Sequence, residues 1–219
     1  MKALVIAIKD IRMEMRAREV VLSTLVFAIL VIVIFNFAFG GRPNDINAIA
    51  PGILWGTFIF AGVLGLSRSF QAESDESCLL GLMSCPVSRD VIYFGKMLAN
   101  LIFMLLVEAL VLPVFAVFFD AGVLNVQVVV IILLATVGFS AAGTLFSALA
   151  VNTRARELVL PLLFLPLISP VIIGAASATG LALDGRAWAE MARWLGIIGA
   201  FDVIFLAGSY LVFAFVIEE

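Results

Sequence analysis

Six stretches of this chain are long and apolar enough to cross a bilayer: Val20–Phe39, Ile49–Leu66, Val91–Phe119, Val126–Val151, Leu158–Ala178 and Leu195–Ile217. A spanning helix needs about 20 mostly apolar residues, and polar residues here gather between the stretches. Ahead of the first, Leu4, Ile8, Ile11 and Met15 recur at i, i+4, i+7 and i+11, the spacing of one helix face. Lys9, Arg12 and Arg16 lie on or beside the opposite face. The pattern predicts an amphipathic helix over residues 1–19 on the cytoplasmic membrane surface, basic enough to favour anionic lipid. A plain orientation signal is the alternative. Acids mixed into this segment, and an apolar run that begins only near Val20, argue against a cleavable signal peptide.

Composition agrees with the pattern. The 219 residues are 64% hydrophobic and 13% charged, and the mean hydropathy is +1.22, values of an integral membrane protein. Charge adds orientation. Lys2, Lys9, Arg12, Arg16, Arg18, Arg68, Arg89, Lys96, Arg154 and Arg156 fall on one side of a six-span topology, and only Arg42, Arg186 and Arg193 on the other. Lys and Arg resist translocation, so both termini are expected in the cytoplasm; five spans would break the alternation. The expected fold is an all-α membrane protein. Residues 1–19 form the interface helix, and 20–219 one six-span domain, with 67–90 a cytoplasmic connection and 179–194 an external amphipathic segment. The short connections leave no room for a soluble domain.

Missing residue types exclude several chemistries. The chain has no histidine, hence no imidazole base and no histidine ligand for a metal or heme. No G-x-x-x-x-G-K-[ST] loop is present to hold ATP phosphates. Cys78 and Cys85 fit no metal spacing and face a reducing compartment in this topology, so they read as structural thiols. No catalytic residue, metal site, bound cofactor or nucleic-acid partner is expected of this chain. An intramembrane phospholipid-head-group transferase pattern fails as well: Asp184-Gly185 stands too far from Ala192-Arg193, and no second downstream Asp follows Asp202.

Between the second and third spans, "SFQAESDESCLLGLMSCPVSRD" interrupts the apolar sequence with Glu73, Asp75, Glu76 and Asp90. It predicts a short helix capped by Ser74 or Ser77, with Asp75 and Glu76 in the first turn where the helix dipole favours negative charge. Leu79, Leu82 and Met83 form one apolar face, and Pro86 ends the helix. Such a face docks into a partner's groove or lies in the interface. The neighbouring acids disfavour an anionic lipid surface, so docking is preferred over an ordinary solvated connection.

Within the spans, Glu108 places a carboxyl where ionisation costs roughly 2.5–3.5 kcal/mol. It reads either as a polar point on a substrate path or subunit interface, or as a neutral Glu bonded to a neighbouring helix. Pro113 frees a carbonyl nearby. Pro161, Pro166 and Pro170 in "LVLPLLFLPLISPVIIGA" predict a kinked or broken element packed inside the bundle or at a dimer interface. In "GFSAAGTLFSALA", the pairs Gly138/Ala142, Ser140/Thr144 and Gly143/Ser147 permit close helix approach, chiefly within the chain. Before the last span, "DGRAWAEMARWLG" predicts a short external surface or re-entrant helix. Arg186 and Glu190 pair on it, and Trp188 and Trp194 sit at the interface as anchors or, alternatively, against a flat aromatic ligand.

An amphipathic start, six spans, a docking helix after the second and an external helix before the sixth together resemble a type-2 ABC exporter permease. The strings "IAPGILW", "LSRSF" followed by acids and "CPVSRD…GK", and "LVLPLLFLPLISPVIIGA" resemble the heme exporter protein B family of bacterial cytochrome c maturation over nearly the whole chain. The resemblance implies a multi-pass inner-membrane permease that is not itself an enzyme. It implies a second copy of the chain and a separate ATP-binding cassette ATPase carrying the ATP. It also implies a heme-handling membrane subunit, a small helper protein and a periplasmic heme chaperone, with heme handled by the complex and ATP use tied to release of the loaded chaperone. By position it places Arg68, Phe70, Glu73, Pro86 and Lys96 in the ATPase-docking region, although Gln71-Ala72 stands where the family often has a second acid. Three other readings remain: an exporter of lipid, drug or polysaccharide, a non-transporting membrane scaffold, and an ion-coupled carrier built around Glu108.

Overall fold

The computed structural model describes residues 2–16, 18–39, 46–75, 88–151 and 156–216, with side-chain surroundings described outside 14–18, 40–47, 67–87, 150–160 and 213–219. All the regular structure among these residues is helical. In chain order the helices are α1 (Lys2–Arg16), α2 (Arg18–Phe39), α3 (Ile46–Asp75), α4 (Arg89–Phe119), α5 (Val126–Val151), α6 (Arg156–Leu183) and α7 (Trp188–Val216). The last six are each long and apolar enough to cross a membrane, in agreement with the six stretches read from the sequence.

Helices α3 and α5 form the middle of the bundle. Within their most apolar windows 72% of residues are buried, against 17% in α2 and α7, which therefore lie at the periphery. Small residues make this packing tight. At Gly62 of α3 an added Cβ would fall 2.5 Å from Phe139 Cζ of α5 and 2.8 Å from Met104 Cε of α4, so glycine is required where three helices meet. The small pairs of α5, Gly138/Ala142, Ser140/Thr144 and Gly143/Ser147, are all buried within the chain. A broad core unites residues of α2 to α7, including Leu54, Phe58, Phe115, Ile131, Phe164 and Ile198. A smaller one joins Ile6 of α1 to Ile92, Tyr93 and Met97 of α4 and Ala141, Leu145 and Ala148 of α5.

The helix ends follow local chemistry. Asn125 caps α5, its side-chain oxygen accepting the Val128 N–H at 2.9 Å. Helix α6 closes in a Schellman turn: the Arg186 N–H donates to Leu181 C=O at 3.0 Å and the Gly185 N–H to Ala182 C=O at 3.1 Å. Gly185 has φ of 71°, a left-handed conformation that glycine adopts without a Cβ clash.

Three expectations need correction. The triple-proline element is one continuous helix, not a broken one, and its proline face is not packed inside the bundle: Pro166 and Pro170 are exposed on the surface of the single chain and Pro161 is partly so, a placement compatible with the dimer-interface alternative. The physical reason is visible at Ser169. Pro170 cannot donate to the Pro166 carbonyl four residues back, and the Ser169 hydroxyl donates to it instead, at 2.7 Å. Second, no separate external helix precedes the last span; Trp188–Trp194 is the opening of α7 itself, since no breaker divides it from Leu195. Third, α3 runs unbroken through Ser74 to Asp75, so Ser74 does not cap a new helix and Asp75 belongs to the last turn of α3. Ser77 and the expected helix around Leu79 lie outside the described residues. Pro113 likewise sits within continuous α4, on its exposed side.

Ser169→Ala should strand the Pro166 carbonyl and cost about 1 kcal/mol, read as a lower midpoint of thermal unfolding in detergent. An unchanged midpoint would show that the carbonyl is satisfied in some other way.

Candidate functional site

Two places bring polar residues together inside an otherwise apolar bundle. The first is Glu108, 3% exposed on α4. Its carboxyl oxygens lie 3.0 and 2.9 Å from the Thr136 hydroxyl of α5, which also lies 2.7 Å from the Ile132 carbonyl one turn back. A carbonyl only accepts and a hydroxyl has one proton. Thr136 can serve Ile132 while accepting from Glu108 only if Glu108 brings a proton of its own, as a neutral acid. Beside this pair is a small cavity walled by Trp55, Phe58, Met104, Phe139, Ile168 and Val171. Trp55 is held by donating its indole N–H to Thr179 of α6 at 3.0 Å. This is an aromatic-lined pocket with one polar point. It can orient a hydrogen-bonding group, but among the described residues no nucleophile adjoins the carboxyl.

The second place is the junction of α1 with the first turns of α4. Ile6 and Ala7 are buried there, and an added Cβ at Gly95 would come 2.8 Å from Ile6 Cβ, so the two helices touch along their backbones. Asp10 lies 3.6 Å from the Lys96 ammonium and 2.9 Å from that of Lys9. Lys96 is 3% exposed and its ammonium reaches Asp10 of α1. Leu4, Val5, Ile8 and Met13 face outward. The apolar stripe read from the sequence is thus split: Leu4 and Ile8 remain exposed, while a different edge, Ile6, Ala7 and Asp10, meets α4. Deeper along α4, Tyr93 donates to the Ala141 carbonyl of α5 at 3.1 Å and Asn100 donates to Thr144 at 2.9 Å.

The other predicted residues do not converge on either place. Arg68, Phe70 and Glu73 belong to the extension of α3 beyond Leu66, their side chains outside the described set; Glu76, Leu79, Leu82, Met83, Pro86 and both cysteines lie outside it altogether. At the opposite end of the bundle, Trp188 is exposed and Arg186 pairs with Glu190 at 3.7 Å. The Arg193 guanidinium lies 5.6 Å from the Trp194 ring centre, and Gln127 donates to the Arg186 carbonyl at 3.0 Å. Sequence reading passed over Asn100, Tyr93 and Asp202. Asp202 carries the same signal as Glu108, an acid inside a span.

Thr136→Val should remove the hydroxyl that bonds Glu108 and lower stability by about 1–3 kcal/mol, whereas Glu108→Gln, which keeps size and hydrogen bonding, should stay close to wild type. Thermal unfolding in detergent separates the two; equal loss in both would argue for an ionised Glu108.

The CcmB protein family matches residues 1–218. The chain is 27% identical to heme exporter protein B of Pseudomonas aeruginosa over 193 residues, covering 88% of this chain and 86% of that one. It is 32% identical to heme exporter protein B of Rhodobacter capsulatus over 182 residues, 80% of this chain and 84% of that one. The protein of the same name in Paracoccus denitrificans is 32% identical over 179 residues, 81% of each. With a match along essentially its full length, the chain belongs to the CcmB protein family.

Proposed function

We propose that this chain is the membrane-spanning permease of an ATP-driven complex for c-type cytochrome biogenesis in the bacterial inner membrane, with both termini cytoplasmic. The observation that carries the reading is the full-length family match, joined by relatives named as heme exporters. ATP hydrolysis belongs to a separate cassette ATPase that grips residues 67–90, and its work serves heme delivery and release of a loaded chaperone. A second copy of the chain, a heme-handling membrane subunit and a small helper protein complete the assembly. The type-2 exporter arrangement belongs to the same proposal.

The geometry supplies a route for the work. Helix α3 extends nine residues past Leu66 to Asp75, and α4 begins at Arg89, so the docking segment hangs between two rigid helix ends. Movement there tilts α4 directly. Because α1 is joined to α4 at Gly95 and through Asp10 and Lys96, it moves with α4 rather than independently. Lys96 belongs to the docking region by position and also ties α1 to α4 through Asp10.

Deleting the gene should abolish c-type cytochrome spectra and leave b-type heme intact; normal c-type spectra would overturn the proposal, and envelope defects with normal cytochromes would favour an exporter of another substrate. Co-purification of a cassette ATPase with the tagged chain should fall about tenfold, a loss of about 1.4 kcal/mol, in Leu79→Asp. Unchanged recovery would place docking elsewhere.

A further inference from the structure

Asp202 stands near the middle of α7 and is 5% exposed. Neither carboxyl oxygen has a hydrogen-bond partner among the described residues. Its Oδ1 is pressed onto the backbone of α5: an added Cβ at Gly138 would fall 2.1 Å away. Glycine at 138 is what lets the carboxyl seat there, leaving only weak Cα–H contacts in place of a conventional bond.

We propose that Asp202 is a proton-binding site that keys α7 to α5, and this inference goes beyond the permease role. A buried carboxylate in hydrocarbon needs a donor or a cation, and among the described residues neither bonds this one. Helix α5 contains no ionisable residue, and the membrane portion of α6, from Pro161 to Leu183, contains none. From α4 the ionisable groups are Arg89, Asp90, Tyr93, Lys96 and Glu108. Tyr93 is committed to the Ala141 carbonyl. Glu108 reaches Thr136, two residues from Gly138 and therefore about 200° around α5. On α7 itself Tyr210 is eight residues away and Arg193 nine, roughly 12 and 13 Å along the axis, and Glu190 is farther still. Asp10, Lys9 and Lys96 are gathered where α1 meets α4.

The remaining neutralising ligand is a proton. The carboxylate takes up one proton to become the acid when α7 seats on α5, and returns one proton to water when the seam opens. The neighbouring α7 surface, Val203 and Ile204, faces outward, and α7 lies at the periphery of the bundle. The sign follows from linkage: a proton bound only in the closed form stabilises closure at low pH, and the opening constant rises with pH by at most tenfold per unit.

Infrared spectra of the chain in lipid vesicles, with aspartate 13C-labelled at the side-chain carboxyl, test the assignment. At about pH 6, where ordinary aspartates are ionised, a labelled carboxylic-acid band should persist in wild type and vanish in Asp202→Asn. Labelled carboxylate bands alone would overturn the proposal, and that measurement needs no variant. Backbone hydrogen exchange in α7 reads the coupling. The wild-type rate divided by the Asp202→Asn rate should rise by up to about tenfold per pH unit above about pH 4, where a carboxyl released to water ionises, and level off once the seated acid ionises too. A ratio flat from about pH 4 to about pH 8 would also overturn it.

Discussion

Hydrocarbon offers no hydrogen bonds, and every polar group this chain carries into the membrane has to be answered from within the bundle. The structure meets that demand mostly over short distances. Thr57 and Thr144 donate back to the carbonyls of Ile53 and Ser140 on their own helices, at 2.8 and 2.7 Å. Ser169 does the same for the carbonyl orphaned by Pro170. Longer links are few and join different helices: Trp55 to Thr179, Tyr93 to Ala141, Asn100 to Thr144 and Glu108 to Thr136. Three of these four end on α5. The helix with no charge of its own is the one that serves the polar groups of its neighbours.

That role of α5 depends on size. Gly138, Ala142, Gly143 and Ser147 keep its surface low, so α3, α4 and α7 approach closely and short polar side chains can reach across. Without a hydrophobic driving force between helices, close packing and these bonds hold the bundle together. The bulky residues sit on the partners, as Phe139 and Met104 do around Gly62. Two acids flank α5 at nearly one depth, Glu108 through Thr136 and Asp202 against Gly138. They differ in how they are answered: one by a hydroxyl, the other by no hydrogen-bond donor among the described residues.

At the end of the bundle that receives α1, the same logic turns mechanical. A helix resting on a membrane surface is ordinarily held by lipid alone. Here backbone contact at Gly95 and the Asp10–Lys96 pair fix α1 to the first turns of α4, the helix that emerges from the proposed docking segment. An ATPase acting on that segment, as proposed, would meet α1 and α4 joined to each other.

Much of this was legible in the residues. The six spans follow from runs of apolar sequence too long for anything but a bilayer, and the family from strings in order along the chain. Glu108 was visible because an acid inside a span is expensive wherever it points. What the sequence could not decide was direction. Apolar periodicity is flat in a helix apolar all round, so it did not say that α3 and α5 are central, that the prolines of α6 face outward, or that Ile6 rather than Leu4 meets α4. That Lys96 is buried beside Asp10 is visible only from the packing of α1. Asp202 became distinctive only once Gly138 was found beneath it. Chain-local costs are written in the sequence; which neighbour answers them is a property of how the helices pack.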